Sequence, residues 1–225
     1  MSVLAGGRYL VGMLASDVHT PAHAPAAPPP PLAHALVPHL HRWTVRDYRA
    51  MRDAGLLEEG ARTELVEGQI ITMSPIGALH LGFQSFLHEE LQDQLDRKVH
   101  KVIGQNPLDL DEYNEPEPDV YVLPYRADHY TVLKPTAEDA ILVCEVSVST
   151  LDYDLGDKRD RYARFGIPEY WVIDPERRVL HYFDTPSDVG YRRALVLDGE
   201  DAFESKLLGG TTAAAWMPPA PELAE

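Results

Sequence analysis

The sequence predicts an α/β protein of one domain, in which a mixed β-sheet is flanked by helices. Apolar segments of strand length stand before and after a segment with helical periodicity, an order typical of a sheet with a crossover helix. With 225 residues, 44% of them hydrophobic and 25% charged, the chain can bury one sizeable core. No apolar run reaches the roughly 20 residues that cross a bilayer, and no convincing signal peptide is present. We therefore predict a cytoplasmic protein without a membrane span.

Both ends of the chain are predicted to be irregular. Residues 1–40 are rich in alanine, proline and histidine, and the run Pro28–Pro31 favours extended polyproline conformation. The histidines there are irregularly spaced, which favours a flexible tail over a metal-binding tract. We place the folded domain at residues 41–200 and predict an irregular C-terminal tail over residues 201–225, where prolines recur near the end.

The first elements of the domain are predicted to be a short helix, a hairpin and a long helix. Thr44 resembles a helix N-cap and Gly55 a C-terminal stop, so a short helix lies between them. Residues 64–73 are typical of two strands joined at Glu67-Gly68. Between Leu79 and Leu95, apolar residues recur with the helical period, which indicates a helix of about five turns.

The second half of the domain is predicted to contain most of the sheet. A helix from about Asp154 to Phe165, ended by Gly166 and Pro168, separates two groups of strands. The last strand is expected at an edge. The strand candidates are residues 101–104, 119–123, 141–147, 169–174, 179–183 and 191–197.

Composition excludes some classes of function. The formal net charge of -16 argues against a general nucleic-acid-binding protein, because phosphate binding depends mainly on lysine and arginine. Carboxylates that surround a bound divalent metal weaken this objection, since the metal reverses the local charge. The single cysteine, Cys144, lies in an apolar run, so thiol catalysis and a cysteine zinc site are set aside.

Three charged residues stand where the patterns favour apolar side chains. Glu145 interrupts the apolar run 141–147, and an isolated buried carboxylate costs several kcal/mol unless it is paired, protonated or bound to metal. Asp119 begins another strand, directly after the proline-stiffened segment 115–118. Lys158 lies within the inward-facing stripe of its helix. Alternatively, this lysine snorkels or forms a buried ion pair.

This trio suits metal-dependent hydrolysis of a phosphodiester bond. Carboxylates are hard oxygen ligands that hold Mg²⁺ or Mn²⁺ while they leave positions for water and phosphate. A nearby amine orients the attacking water or stabilises the charge of the transition state. We therefore predict Asp119 and Glu145 as metal ligands and Lys158 as their catalytic partner.

Motifs that recur in order between Arg42 and Phe183 resemble the Uma-two family of restriction endonuclease-like proteins. The resemblance implies a PD-(D/E)XK nuclease fold and endonuclease activity on DNA. The motifs are Thr63-Glu-Leu-Val-Glu-Gly68, Met73-Ser-Pro75 followed by His80, Glu117-Pro-Asp-Val120, Glu145-Val-Ser-Val-Ser-Thr150, Asp154-Leu-Gly-Asp-Lys158 with Tyr162, and Gly166-Ile-Pro-Glu-Tyr-Trp-Val-Ile-Asp-Pro175.

The resemblance also implies roles for individual residues. Asp119 matches the aspartate of the superfamily motif, and Glu145 matches its acidic residue. The pattern places lysine two residues after that acid, where this chain has Ser147, so Lys158 on the following helix would take its place. Glu64 resembles the glutamate that often completes such a site.

For several other polar and aromatic residues, the sequence allows either a role in the site or a role in packing. His80, Gln84 and His88 form a row with helical spacing beside the apolar face of the long helix. His80 is a secondary catalytic candidate, and a solvated row is the alternative. Tyr162 is predicted to belong to the core, and Trp171 to pack within its hairpin rather than to stack on bases.

The expected function is that of an Mg²⁺- or Mn²⁺-dependent endonuclease acting on DNA. A homodimer would suit such an enzyme, because two sites can cut both strands. One alternative is a catalytically inactive nuclease fold used for binding or assembly. The other is a hydrolase of small phosphodiester or nucleotide substrates, which would suit a chain poor in positive charge.

Overall fold

The computed structural model describes residues 40–58 and 60–220, and residues 1–39 of the predicted N-terminal tail lie outside them. From His41 onward, the described residues belong to one compact unit. No helix in the described ranges is both long enough and apolar enough to span a membrane. The helices are α1 (Val45–Asp53), α2 (Ala78–Gln94), α3 (Leu151–Tyr153) and α4 (Arg159–Arg164), with a π-helical segment at Asp154–Lys158 and short 3-10 helices at Ala137–Asp139 and Ala213–Trp216.

Six of the ten strands in the described part of the chain form the central sheet, in the spatial order β3-β4-β5-β6-β7-β8. Only β5 and β6 are parallel, and the segment from α3 to α4 connects them. The prediction of a mixed sheet with a crossover helix and an edge strand at β8 is therefore confirmed. The strands are β1 (Thr63–Val66), β2 (Gln69–Thr72), β3 (His100–Gly104), β4 (Val120–Pro124), β5 (Leu142–Val146), β6 (Glu169–Asp174), β7 (Val179–Ser187), β8 (Gly190–Asp198), β9 (Ala202–Ser205) and β10 (Gly209–Thr212).

Both faces of the sheet are covered. On one face, Phe83, Leu87 and Leu91 of α2 pack against alternate residues of β4 to β7. On the other face, Tyr162 of α4 packs against the remaining alternate positions. All five residues of β5 are consequently buried, as expected for a central strand between two layers of structure.

The prediction of an irregular C-terminal tail is wrong for the residues that the structure describes there. β9 and β10 pair in an antiparallel hairpin, and the 3-10 helix that follows places Trp216 in the core, 5.0 Å from Trp171 between ring centroids. Gly209 adopts a positive φ of 76°, which a glycine accommodates without strain. The segment is rich in glycine and alanine and carries few large apolar residues, so its sequence shows no strand period.

Trp216→Ala is expected to lower the free energy of unfolding by about 3–5 kcal/mol, because the indole is fully buried and a cavity would remain. Urea denaturation of the full chain measures this loss. Trp43→Ala is the matched control, because that indole is 38% exposed and its removal should cost far less. Equal losses in the two variants would contradict the assignment of the C-terminal segment to the core.

Candidate active site

All five predicted site residues line one cavity of about 240 Å³. They come from five separate parts of the chain: Glu64 from β1, His80 from α2, Asp119 before β4, Glu145 from β5 and Lys158 from the π-helical segment. The fold thus brings together side chains that are up to 94 residues apart in sequence. Other lining residues include Arg62, Ser74, Glu117, Ser149, Thr150 and Asp154.

The pairing of β4 with β5 explains why two carboxylates meet. In this antiparallel ladder Val120 lies opposite Cys144, so the next pair along the register is Asp119 and Glu145. Residues opposite each other in an antiparallel pair are close neighbours. The two acids therefore meet at adjacent ends of neighbouring strands.

Asp119 is held at both its side chain and its backbone. Its Oδ2 lies 3.0 Å from Nε2 of His80 and accepts a hydrogen bond of 2.9 Å from the backbone N–H of Val146. Gln84, one turn after His80, donates to the Asp119 carbonyl at 3.3 Å. Burial alone would raise the pKa of Asp119, but His80, the Val146 N–H and the charge of Lys158 outweigh it and lower this pKa. The carboxyl is accordingly held as a carboxylate.

Lys158 lies among the glutamates of the site. Its Nζ is 2.9 Å from Oε1 of Glu145 and 3.3 Å from Oε1 of Glu64, and its side chain is only 3% exposed. Tyr162, one helical turn later, donates its phenolic hydrogen to Oε1 of Glu145 at 3.0 Å. The sequence left open whether Lys158 takes part in catalysis, snorkels or forms a buried ion pair. The structure contains the buried ion pair, and that pair lies inside the cavity.

Glu64 has one satisfied and one unsatisfied oxygen. Its Oε1 accepts from Lys158 and, at 3.2 Å, from the backbone N–H of Glu117. Its Oε2 is buried and has no hydrogen-bond partner among the described residues. A buried carboxylate oxygen without a donor is costly, so this atom is suited to a water molecule or a cation.

The electrostatics of the cavity favour uptake of a cation. Burial raises the pKa of Glu145 well above its ordinary value, and the carboxylates of Asp119, Asp154 and Glu64 raise it further, although Lys158 opposes the shift. For Lys158, burial acts to lower the pKa, but the surrounding carboxylates outweigh it and raise the pKa well above its ordinary value. The carboxylates that line the cavity outnumber its lysine and arginine side chains, so the local charge favours binding of a cation.

The sequence predicts a regular helix around Lys158. The structure instead contains the π-helical segment Asp154–Lys158 there. Asp154 at its start accepts hydrogen bonds from the hydroxyls of Ser147 and Thr150, the latter at 2.6 Å. Ser147 occupies the position where the superfamily pattern has lysine, and here it anchors the helix to the end of β5. π-Helical turns are frequent at functional sites.

Tyr162, Glu117 and Arg62 are among the residues at the site that sequence reasoning missed. Tyr162 is buried in the core as predicted, but its hydroxyl also binds Glu145. Glu117 lines the cavity, and burial together with the neighbouring Glu64 raises its pKa. Arg62 lines the same cavity. The spacing of two residues between Glu117 and Asp119 was the available signal for Glu117, because such residues share one side of an extended chain.

The residues that could hold a metal ion are few. Among residues 40–58 and 60–220, no three or more His, Cys, Asp or Glu side chains are arranged closely enough to hold a metal ion. Mg²⁺ commonly binds through one or two carboxylates and completes its shell with water and substrate phosphate. Asp119 and Glu145, with the unsatisfied Oε2 of Glu64 nearby, fit this smaller donor set.

A mixed sheet that presents two carboxylates at adjacent strand ends, with a lysine on the crossover helix, places the protein in the restriction endonuclease-like class. The family model Uma2, described as "Putative restriction endonuclease", matches residues 45–215. The chain belongs to this family. The resemblance to the Uma-two family stated from the motifs is thereby confirmed.

A similar fold occurs in a solved structure, described as that of a "putative nuclease belonging to DUF820" from Anabaena variabilis. The two share a TM-score of 0.62 and 13% sequence identity, over 77% of this chain and 96% of the other. At this identity the likeness supports the fold alone. A comparison with curated proteins gives no match.

Proposed function

We propose that this chain is a divalent-metal-dependent endonuclease that hydrolyses phosphodiester bonds in DNA. The observation that carries the proposal is the meeting of Asp119, Glu145 and Lys158 in one cavity, with Lys158 only 2.9 Å from Glu145. Membership of a family described as restriction endonuclease supports the same reaction. Nucleic acid is accordingly the proposed substrate.

The donor set suits Mg²⁺ or Mn²⁺. Asp119 and Glu145 would hold the ion through carboxylate oxygens, and the unsatisfied Oε2 of Glu64 would accept a hydrogen bond from coordinated water. When bound, such an ion polarises the phosphate and lowers the pKa of a water molecule. The lining of the cavity, where Glu64, Glu117, Asp119, Glu145 and Asp154 outnumber the two cations Arg62 and Lys158, supports binding of a cation there.

The remaining side chains orient the reacting groups. Lys158 donates hydrogen bonds to the attacking water or to the developing negative charge on phosphate. Tyr162 fixes the Oε1 end of Glu145, and His80 together with the Val146 N–H fixes Asp119. Such supporting hydrogen bonds set the direction of carboxylates that bind metal.

Calorimetric titration with Mn²⁺ tests whether the carboxylates bind metal. The wild-type chain is expected to show saturable binding that is at least about tenfold weaker in Asp119→Asn, because supporting and ligating groups typically contribute this much. Asp93→Asn, whose side chain is 75% exposed on α2, is the matched control and should bind like the wild type.

Two results would count against the proposal. Identical Mn²⁺ binding by all three proteins would remove Asp119 from the site. Absence of any saturable binding would favour the alternative of a nuclease fold used only for binding or assembly. Comparison of cleavage of DNA with cleavage of small diesters then separates an endonuclease from a hydrolase of small substrates.

A further inference from the structure

Arg62 is a cation in the cavity to which neither the family pattern nor the proposed reaction gives a role. It is half-buried and lines the cavity. Among the described residues, its guanidinium takes part in no direct ion pair and no side-chain hydrogen bond, although its charge acts to lower the pKa of Glu117. Several arginines elsewhere in the domain are held by acidic side chains, among them Arg126, Arg164 and Arg193, whereas Arg42 and Arg178 donate to backbone carbonyls.

The backbone directs Arg62 to the same side as Glu64. The N–H of Met73 donates to the carbonyl of Arg62 at 2.8 Å, which continues the pairing of β1 and β2 by one residue. Residues two apart in an extended chain project to the same side. A guanidinium presents a planar fork of donors that matches the oxygens of a phosphate group. Arg62 is thus positioned to bind phosphate beside the carboxylates.

A groove of about 610 Å³ adjoins the cavity and shares a wall with it. Its one described cation, Arg177, is held by Asp174 at 2.8 Å, and Glu176 and Asp152 add negative charge. Hydroxyl groups supply uncharged donors for sugar and phosphate oxygens. The groove thus has room for a continuing chain but no unpaired cation among its described residues for further phosphates. The hydroxyls of Thr72, Ser74 and Ser149 donate to no other group among the described residues, whereas those of Ser147 and Thr150 already donate to Asp154.

We propose that Arg62 is a substrate-binding residue that holds the phosphate next to the scissile bond, and that the site takes a single nucleic-acid strand rather than a duplex. This inference rests on the proposed function. Duplex binders neutralise many phosphates with lysine and arginine, whereas Arg62 is the unpaired arginine among the described residues of this cavity. The adjoining groove offers more space than an isolated diester would fill.

Binding of short fluorescent oligonucleotides tests the inference without cleavage. The full chain carrying Glu145→Gln is titrated in Mn²⁺ with a single strand and with its duplex, and anisotropy is followed between about 50 and 200 mM salt. The single strand is expected to bind at least about tenfold tighter than the duplex. For the single strand, a plot of log K against log salt concentration should have a slope of about -0.7, the value for one phosphate contact in single strands.

Substitutions in the same background isolate Arg62. Arg62→Ala should weaken binding of the single strand about tenfold and reduce the salt slope by the value of one contact. Arg62→Lys should keep the slope and lose part of the affinity, because an ammonium lacks the fork. Arg97→Ala is the matched control: it removes the same charge from an exposed side chain that pairs with Asp93 outside the cavity. It should leave binding unchanged.

Three results overturn the inference. These are tighter binding of duplex with a slope steeper than about -4, equal effects of Arg62→Ala and Arg97→Ala, or no binding of either oligonucleotide. Tight binding of duplex leaves the proposed function intact, since duplex DNA is still compatible with hydrolysis at Asp119 and Glu145. The proposed function itself fails if the wild-type chain shows no metal-dependent cleavage of DNA, whether single-stranded or duplex.

Discussion

Glu145→Gln is expected to lower the rate of metal-dependent phosphodiester cleavage by at least about a thousandfold. Glutamine has the shape of glutamate, but it replaces a charged oxygen ligand with a neutral amide. The metal and the attacking water would then lose a negative partner one residue beyond the last pair, Val120 and Cys144, of the β4–β5 ladder. Initial rates with labelled DNA in Mn²⁺ measure the effect.

The fold of this variant should persist. Burial and neighbouring carboxylates raise the pKa of Glu145 well above its ordinary value, so a neutral group suits this environment. Lys158 retains its contact with Glu64 at 3.3 Å. Urea denaturation should therefore show a two-state transition close to that of the wild type, which separates loss of chemistry from loss of structure.

Glu169→Gln provides a control with the same chemical change in another fully buried glutamate of the sheet. Glu169 lies on β6 outside the cavity and accepts hydrogen bonds from the Trp171 indole and the Leu207 N–H. This variant is expected to lose stability and to keep its cleavage rate per folded molecule. If Glu145→Gln cleaves DNA as fast as Glu169→Gln, Glu145 is not a catalytic ligand.

The position of the site could be predicted because charge inside an apolar pattern is expensive. Glu145 interrupts a run of buried residues, and Lys158 interrupts the apolar stripe of its helix, so each required a compensating partner. In the structure the two residues are each other's partner, because Nζ of Lys158 lies 2.9 Å from Oε1 of Glu145. The same argument fails for Arg62, because an arginine beside a strand end looks like any solvated residue.

Tertiary contacts determine what the sequence could not predict. Trp216 enters the core only because β9 and β10 fold back on the sheet, and nothing in the local pattern of Gly209-Gly-Thr-Thr-Ala indicates this. The hydroxyl of Tyr162 donates a hydrogen bond to Glu145 although the ring packs in the core. The prediction that Tyr162 belongs to the core is therefore compatible with its contact in the site. The π-helical turn likewise depends on the hydrogen bonds that Ser147 and Thr150 donate to Asp154.

Lys158→Met is expected to abolish cleavage and, without metal, to lower the free energy of unfolding by about 3–5 kcal/mol, because it leaves buried carboxylates uncompensated. In the wild type the pKa of Lys158 is raised on folding. A lysine with a raised pKa contributes stability at every pH below its ordinary pKa and loses it only as pH rises through the folded value. Lys158 therefore stabilises the fold throughout the neutral range, and urea denaturation in EDTA at neutral pH measures its contribution.

The carboxylates left behind predict how this deficit responds to conditions. A glutamate with a raised pKa destabilises the fold above its ordinary pKa, so protonation of Glu145 should shrink the deficit as pH falls from about 8 to about 5. Mn²⁺ should stabilise Lys158→Met more than the wild type, because a cation can replace the missing ammonium. The double variant Glu145→Gln/Lys158→Met should lose less stability than Lys158→Met alone, since the two side chains interact directly. A deficit that neither pH, Mn²⁺ nor the second substitution relieves would mean that Lys158 only fills space, and the electrostatic account of the cavity would be wrong.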